Sequence, residues 1–161
     1  MCIDTFIRNN SNMENKMSQF LNPPPYAQEI VITNDGGGYV SSYKEAAFRY
    51  YISGKKIKVA GSCRSACTLS LSYSNVCVFP NAIFKWHMAY DEDTGIRRPD
   101  VTNQMISAMP QRVADRLRGV VSRDYNPSAT LTGYQLIELG IKACVKSYEP
   151  KNTNRSIMFN D

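Results

Sequence analysis

Between residues 29 and 87 short β-branched runs, glycine or small-residue turns and helical periodicity follow one another in order. That alternation constrains the fold more than any other feature. Glu29-Ile30-Val31-Ile32-Thr33 reads as a strand, halted by Asn34-Asp35-Gly36-Gly37-Gly38. Val40, Tyr43, Ala47, Tyr50 and Tyr51 then recur at helical spacing up to Gly54. Lys56-Ile57-Lys58-Val59-Ala60 is the next strand, followed by the turn Gly61-Ser62-Cys63-Arg64-Ser65-Ala66-Cys67 and a small-residue helix pattern. Two further short strands are expected at Val76-Cys77-Val78-Phe79 and across Ala82 to His87. Strand, helix, strand, helix, strand is the order of right-handed βαβ units, so an α/β fold with mainly parallel strands is expected. The run-like hydrophobicity of the first and third strands suits burial on both faces.

Beyond His87 a polar loop from Asp91 to Arg98 precedes a helical region between Asp100 and Arg123. Its apolar stripe is Val113, Leu117, Val120 and Val121. Thr132 and Gln135 form a capping box that opens a last helix, which Gly140 ends before a final strand, Ile141 to Val145. Residues 1–25 are polar and end in three prolines, which predicts a flexible arm. One domain is expected over residues 26–148, with a polar tail at 149–161.

The formal charge of +5 comes from scattered basic residues, which read as a solvated surface; a nucleic-acid partner is not expected. No apolar run is long enough for a signal segment or a membrane span, so the chain as given reads as cytosolic, and as exported if its precursor is longer. The five cysteines are Cys2, Cys63, Cys67, Cys77 and Cys144. In a reducing compartment they are expected to be buried free thiols, packing like small hydrophobes; export would allow a Cys63–Cys67 or Cys67–Cys77 bridge.

Ser65 is either a helix N-cap or a nucleophile held at a strand-to-helix junction. Two features support the second role. The glycine triplet follows the neighbouring strand, so the amides of Gly38 and Ala66 can converge on one developing oxyanion. His87 is the chain's one histidine and ends a strand, so any imidazole base for Ser65 must be His87.

The landmarks that carry these residues resemble the Clp protease proteolytic subunit and the wider crotonase-like superfamily. Thr33 to Val40 is similar to the family's glycine turn, and Cys63-Arg64-Ser65-Ala66-Cys67 to its nucleophile turn. Phe79-Pro80-Asn81-Ala82-Ile83-Phe84-Lys85-Trp86-His87 is similar to its "L-P-N" segment ending in histidine, and Leu131 to Ile141 to its "L-S-A" segment. The C-x-S-A-C spacing resembles a Clp-like branch of predicted periplasmic proteins. Across residues 28–146 the resemblance implies a stack of ββα units and a serine peptidase or acyl-transfer hydrolase. It implies Ser65 as nucleophile, His87 as general base and the amides of Gly38 and Ala66 as oxyanion hole. It also implies a homo-oligomer, a peptide or protein substrate, a possible partner protein and no cofactor. The family's third residue, an aspartate, aligns with Ser128, and Asp124 is the nearest carboxylate to take its place.

Other readings compete. Cys63, Cys67, Cys77 and His87 are ligands of zinc type, but their spacing matches no common zinc module, and no metal is expected. Lys85, on the strand face that carries His87, offers a serine–lysine arrangement. A catalytically silent binding or scaffold domain keeps the fold without the chemistry. Self-association is also expected from the helical faces that carry Met105, Ile106, Met109, Val113 and Leu117.

Overall fold

The computed structural model describes residues 18–144. Five strands form one sheet: β1 (Glu29–Asp35), β2 (Lys56–Arg64), β3 (Val76–Val78), β4 (Ile83–Lys85) and β5 (Thr130–Thr132). The strand order is β1-β2-β4-β5, with β3 also on β2. All pairs are parallel except β4 with β5, so the chain is α/β with a mostly parallel sheet. The four α-helices are α1 (Val40–Ile52), α2 (Pro99–Ser107), α3 (Gln111–Leu117) and α4 (Gly133–Glu138).

Strand β2 organises the sheet because its two halves take different partners. Ile57, Lys58 and Val59 pair with β3, while Ser62, Cys63 and Arg64 pair with β4. On the other side β2 pairs with β1, whose register shifts between Ile32 and Asn34. Gly61 permits that irregularity. A Cβ there would stand 1.8 Å from the Thr33 carbonyl oxygen, so only the bare backbone fits. The register then resumes with Asn34 opposite Ser62 and Asp35 opposite Cys63, and Arg64 lies opposite Lys85. The carboxyl ends of β1, β2 and β4 therefore open on one edge. That edge carries the glycine turn, the serine turn and His87.

Ile30, Ile32, Ile57, Val59, Val78 and Phe84 fill the core between sheet and helices, each with essentially no exposure. α4 begins with the expected capping box: Gln135 N–H donates to Thr132 Oγ1 at 3.1 Å, and Thr132 N–H to Gln135 Oε1 at 2.9 Å. Its first amides also reach the β3–β4 connection, Gly133 N–H to Ala82 O and Tyr134 N–H to Pro80 O.

Four expectations need correction. The folded part reaches back before Tyr26. Phe20 is fully buried against Tyr43 and Tyr50, and Gln19 accepts from Val31 N–H, so residues 18–25 are not a free arm. The stripe through Val120 and Val121 does not continue as helix, because Arg118 turns to extended backbone and ends α3 at Leu117. The helix after the serine turn is a 3-10 helix, Ser65–Ser72, packed beside α1. The final strand is reduced to one parallel bridge between Val78 and Ala143; Val145 lies outside the described residues, as do Cys2 and the tail at 149–161.

The cysteines also differ from the expected free thiols. Cys63 is bonded to Cys67, and Cys77 to Cys144. The Val78–Ala143 bridge lays the segment at Ala143 along β3 and so brings the second pair together. Disulfide sulfur is no thiolate, so the zinc ligand set considered from sequence loses its cysteines. Finally, Met105, Ile106, Met109, Val113 and Leu117 are all buried in the core of this chain, so they offer no free face for self-association.

Candidate functional site

Ser65 is the first residue after β2 and has a φ of +55°, in the left-handed region that a serine rarely enters. Its conformation is held from three sides. Cys63 and Cys67 bracket it with a disulfide, and both are fully buried. Thr68 Oγ1 donates to the Ser65 carbonyl at 2.6 Å. Gly37 packs directly on the turn: a Cβ there would lie 2.7 Å from Arg64 O, 2.8 Å from Ser65 Cβ and 2.9 Å from Ala66 N. Gly37 itself has a φ of +84°, so both contact and dihedral require glycine.

The Ser65 side chain is not an N-cap. The cap position belongs to Arg64, which makes no capping bond. Ser65 Oγ instead lies 2.9 Å from His87 Nε2. On the far side of the ring, Nδ1 is 2.9 Å from the Met88 carbonyl oxygen. A carbonyl can only accept, so Nδ1 carries the proton and Nε2 of the neutral ring is the acceptor for the seryl hydroxyl. Burial is the largest influence on His87 and moves its pKa below the ordinary 6.5; Arg97 adds to this, while the Met88 bond and Asp124 oppose it. The ring also meets Tyr125 edge-on, with centroids 4.7 Å apart. Tyr90 stands 6.1 Å away under the Arg97 guanidinium.

The glycine turn is locked by a buried carboxylate. Asp35 Oδ1 accepts from Gly37 N–H and from Tyr43 Oη, each at 2.8 Å. Gly37 N–H is thereby engaged, which leaves Gly38 N–H as the amide next along the turn. The contact of Gly37 with Ala66 N puts the Gly37–Gly38 peptide beside the first turn of the 3-10 helix, where amides lack intrahelical acceptors.

Asp124 does not join this group. Its side chain is 87% exposed and lies 4.0 Å from Arg97 Nη2, and the bond at His87 Nδ1 goes to Met88. Ser128 is exposed in the short 3-10 turn Pro127–Ala129. Lys85 is on β4, but the acceptor at Ser65 Oγ is His87.

The structure thus brings Ser65, His87 and the Gly37–Gly38 and Ala66 amides to one edge, and leaves Asp124 outside. Sequence reasoning missed Asp35, whose Asn-Asp-Gly context is an Asx-turn signal. It also missed Tyr125 and the Met88 carbonyl, for which no sequence signal exists. No protein-family model matches the chain, and no curated protein matches it.

Proposed function

We propose that the protein is a serine hydrolase of acyl groups, acting on peptide bonds in the manner of the Clp-like and crotonase-like enzymes that its landmarks resemble. The observation that carries this reading is the 2.9 Å contact of Ser65 Oγ with His87 Nε2, made by a ring whose other nitrogen donates to Met88 O. Neutral Nε2 takes the seryl proton as Oγ attacks a carbonyl carbon. The resulting oxyanion is stabilised by Gly38 N–H and Ala66 N–H. His87 then returns the proton to the leaving amine, and water repeats the sequence on the acyl-enzyme. No metal or cofactor enters these steps.

The left-handed backbone at Ser65 supports the same reading, since strain of this kind persists where surrounding contacts enforce it and clusters at active sites. The two disulfides favour an oxidising compartment over the cytosol. A ββα stack and assembly into a homo-oligomer belong to the same resemblance.

One observation favours a second reading. Among the described residues no carboxylate bonds to His87, which fits a silent relative that binds without turnover. A fluorophosphonate probe separates the two. Intact mass spectrometry is expected to show one adduct on the wild-type chain and none on Ser65→Ala; an unlabelled native protein across pH 5–9 overturns the hydrolase reading.

A further inference from the structure

Arg64, the residue before Ser65, has charge without a partner. Its Nε is buried and makes no hydrogen bond, and among the described residues its guanidinium forms no ion pair. Leaving a buried charged donor unpaired costs free energy unless another group supplies the acceptor. The guanidinium lies along the glycine turn, with Nη2 3.6 Å from the position of a Cβ on Gly36. Its charge also draws down the Tyr125 hydroxyl pKa, against the larger upward push of burial, and the Tyr125 ring touches His87. Arg64 therefore stands on the same edge of the sheet as the serine, between the glycine turn and the histidine side.

A second cation adjoins it. Arg64 and Lys85 are register partners on β2 and β4, and residues opposite one another on adjacent strands project from the same face. Like charges in that relation repel. The Lys85 side chain likewise makes no ion pair among the described residues. Asp35 is engaged by Gly37 and Tyr43, Glu92 by Tyr39, and Asp124 faces Arg97, so none of these three pairs with Arg64.

We infer that Arg64 and Lys85 form a carboxylate-binding subsite beside Ser65, so that the preferred ligand carries an acidic side chain or a free chain terminus next to the bond presented to the serine. The planar fork of Arg64 suits a bidentate carboxylate, and Lys85 adds a point charge. The inference deepens the hydrolase reading and rests on it for the position of the scissile bond, but the binding step is measurable without turnover.

His87, as the only histidine, supplies a single imidazole Cε1–H signal for carbon–proton NMR titration of the full chain. Three ligands are compared: N-acetyl-glutamate α-amide, N-acetyl-glutamine with a free α-carboxylate, and N-acetyl-glutamine amide. One or both acidic ligands are expected to shift the His87 signal saturably at millimolar concentration, and whichever does so identifies the source of the carboxylate. The neutral amide is expected to shift it at least about tenfold more weakly, and Arg64→Gln to remove that preference. Equal response to acidic and neutral ligands, or no response to any, overturns the subsite. So does an Arg64→Gln chain that retains the preference. If Arg64→Gln does not fold, the comparison of ligands on the wild-type chain decides. Failure of probe labelling with the acidic preference intact would remove the hydrolase and leave the subsite.

Discussion

His87 Nδ1 donates to the carbonyl oxygen of the next residue, Met88, at 2.9 Å. The proposed base is thus oriented by a neutral group, fixed in tautomer yet without a negative charge to stabilise the imidazolium. Burial dominates and holds the His87 pKa below its ordinary 6.5. In the proposed hydrolase the neutral ring is the active form, so kcat/KM is expected to rise with pH to a plateau, with its midpoint below 6.5. Linkage has the same sign. The unfolded chain binds the proton more readily, so the contribution of His87 to stability is complete above 6.5 and is lost as pH falls towards the lower folded value. NMR titration of the single histidine checks this, and a midpoint above 6.5 refutes it.

Substitution should separate the base from the exposed acid. His87→Ala is expected to slow turnover by about 10²–10⁴-fold, with Ser65→Ala as damaging and the double variant no worse. Asp124→Asn is expected to stay within about threefold of wild type, because an exposed charge is screened by solvent. Steady-state rates at pH 8 suffice to rank these variants. Loss with Asp124→Asn equal to that with His87→Ala would show that Asp124 moves onto the ring during the reaction.

Gly37→Ala is expected to damage both stability and turnover. The added methyl meets Arg64 O, Ser65 Cβ and Ala66 N inside 3.0 Å and also sits at positive φ. Strain of this kind costs about 1–3 kcal/mol, and displacement of the Ser65 turn should lower kcat more than it raises KM. Thermal unfolding together with kinetics reads both effects; unchanged values in both would mean that the turn is looser than its contacts imply.

The two disulfides are expected to have different consequences. Cys63–Cys67 spans a separation of 4 and Cys77–Cys144 one of 67. On chain entropy alone the first contributes about 2 kcal/mol and the second about 4 kcal/mol. Removing Cys77–Cys144 by double serine substitution should therefore lower Tm more. Removing Cys63–Cys67 should affect kcat more, because that bridge brackets Ser65, the proposed nucleophile. The opposite ranking in calorimetry and rate assays would contradict this division.

Much of the sheet was legible because β-branched runs such as Ile30-Val31-Ile32 are punctuated by glycines. The expected burial of the first and third strands on both faces does not hold: burial alternates, with Ile30, Ile32, Val76 and Val78 buried and Val31 and Cys77 only partly so. The Ser65–His87 pair was legible because a single histidine left no other imidazole. What escaped depends on three-dimensional register. One phenylalanine in a polar segment has no periodicity that announces Phe20 as core. Cys77 finds Cys144 only because the segment at Ala143 lies along β3. The orienter of His87 is a backbone carbonyl, which every residue has, so no residue type could point to it. The helical faces of Met105 and Leu117 suggested an interface because sequence does not reveal how much core a chain must fill.

The Cys77–Cys144 bond makes residues 77–144 a closed covalent ring, and Ser65 stands outside it while His87 is a member. The exposed stretch from Glu92 to Ile96 is the natural place for a protease to cut that ring. A single cut there opens the circle without dividing the molecule. Ser65 and His87 both remain on one segment, and α2, α3 and α4 stay tethered to it through sulfur. Such a clipped form would run as one species on a gel until reductant is added, and would part into two only then.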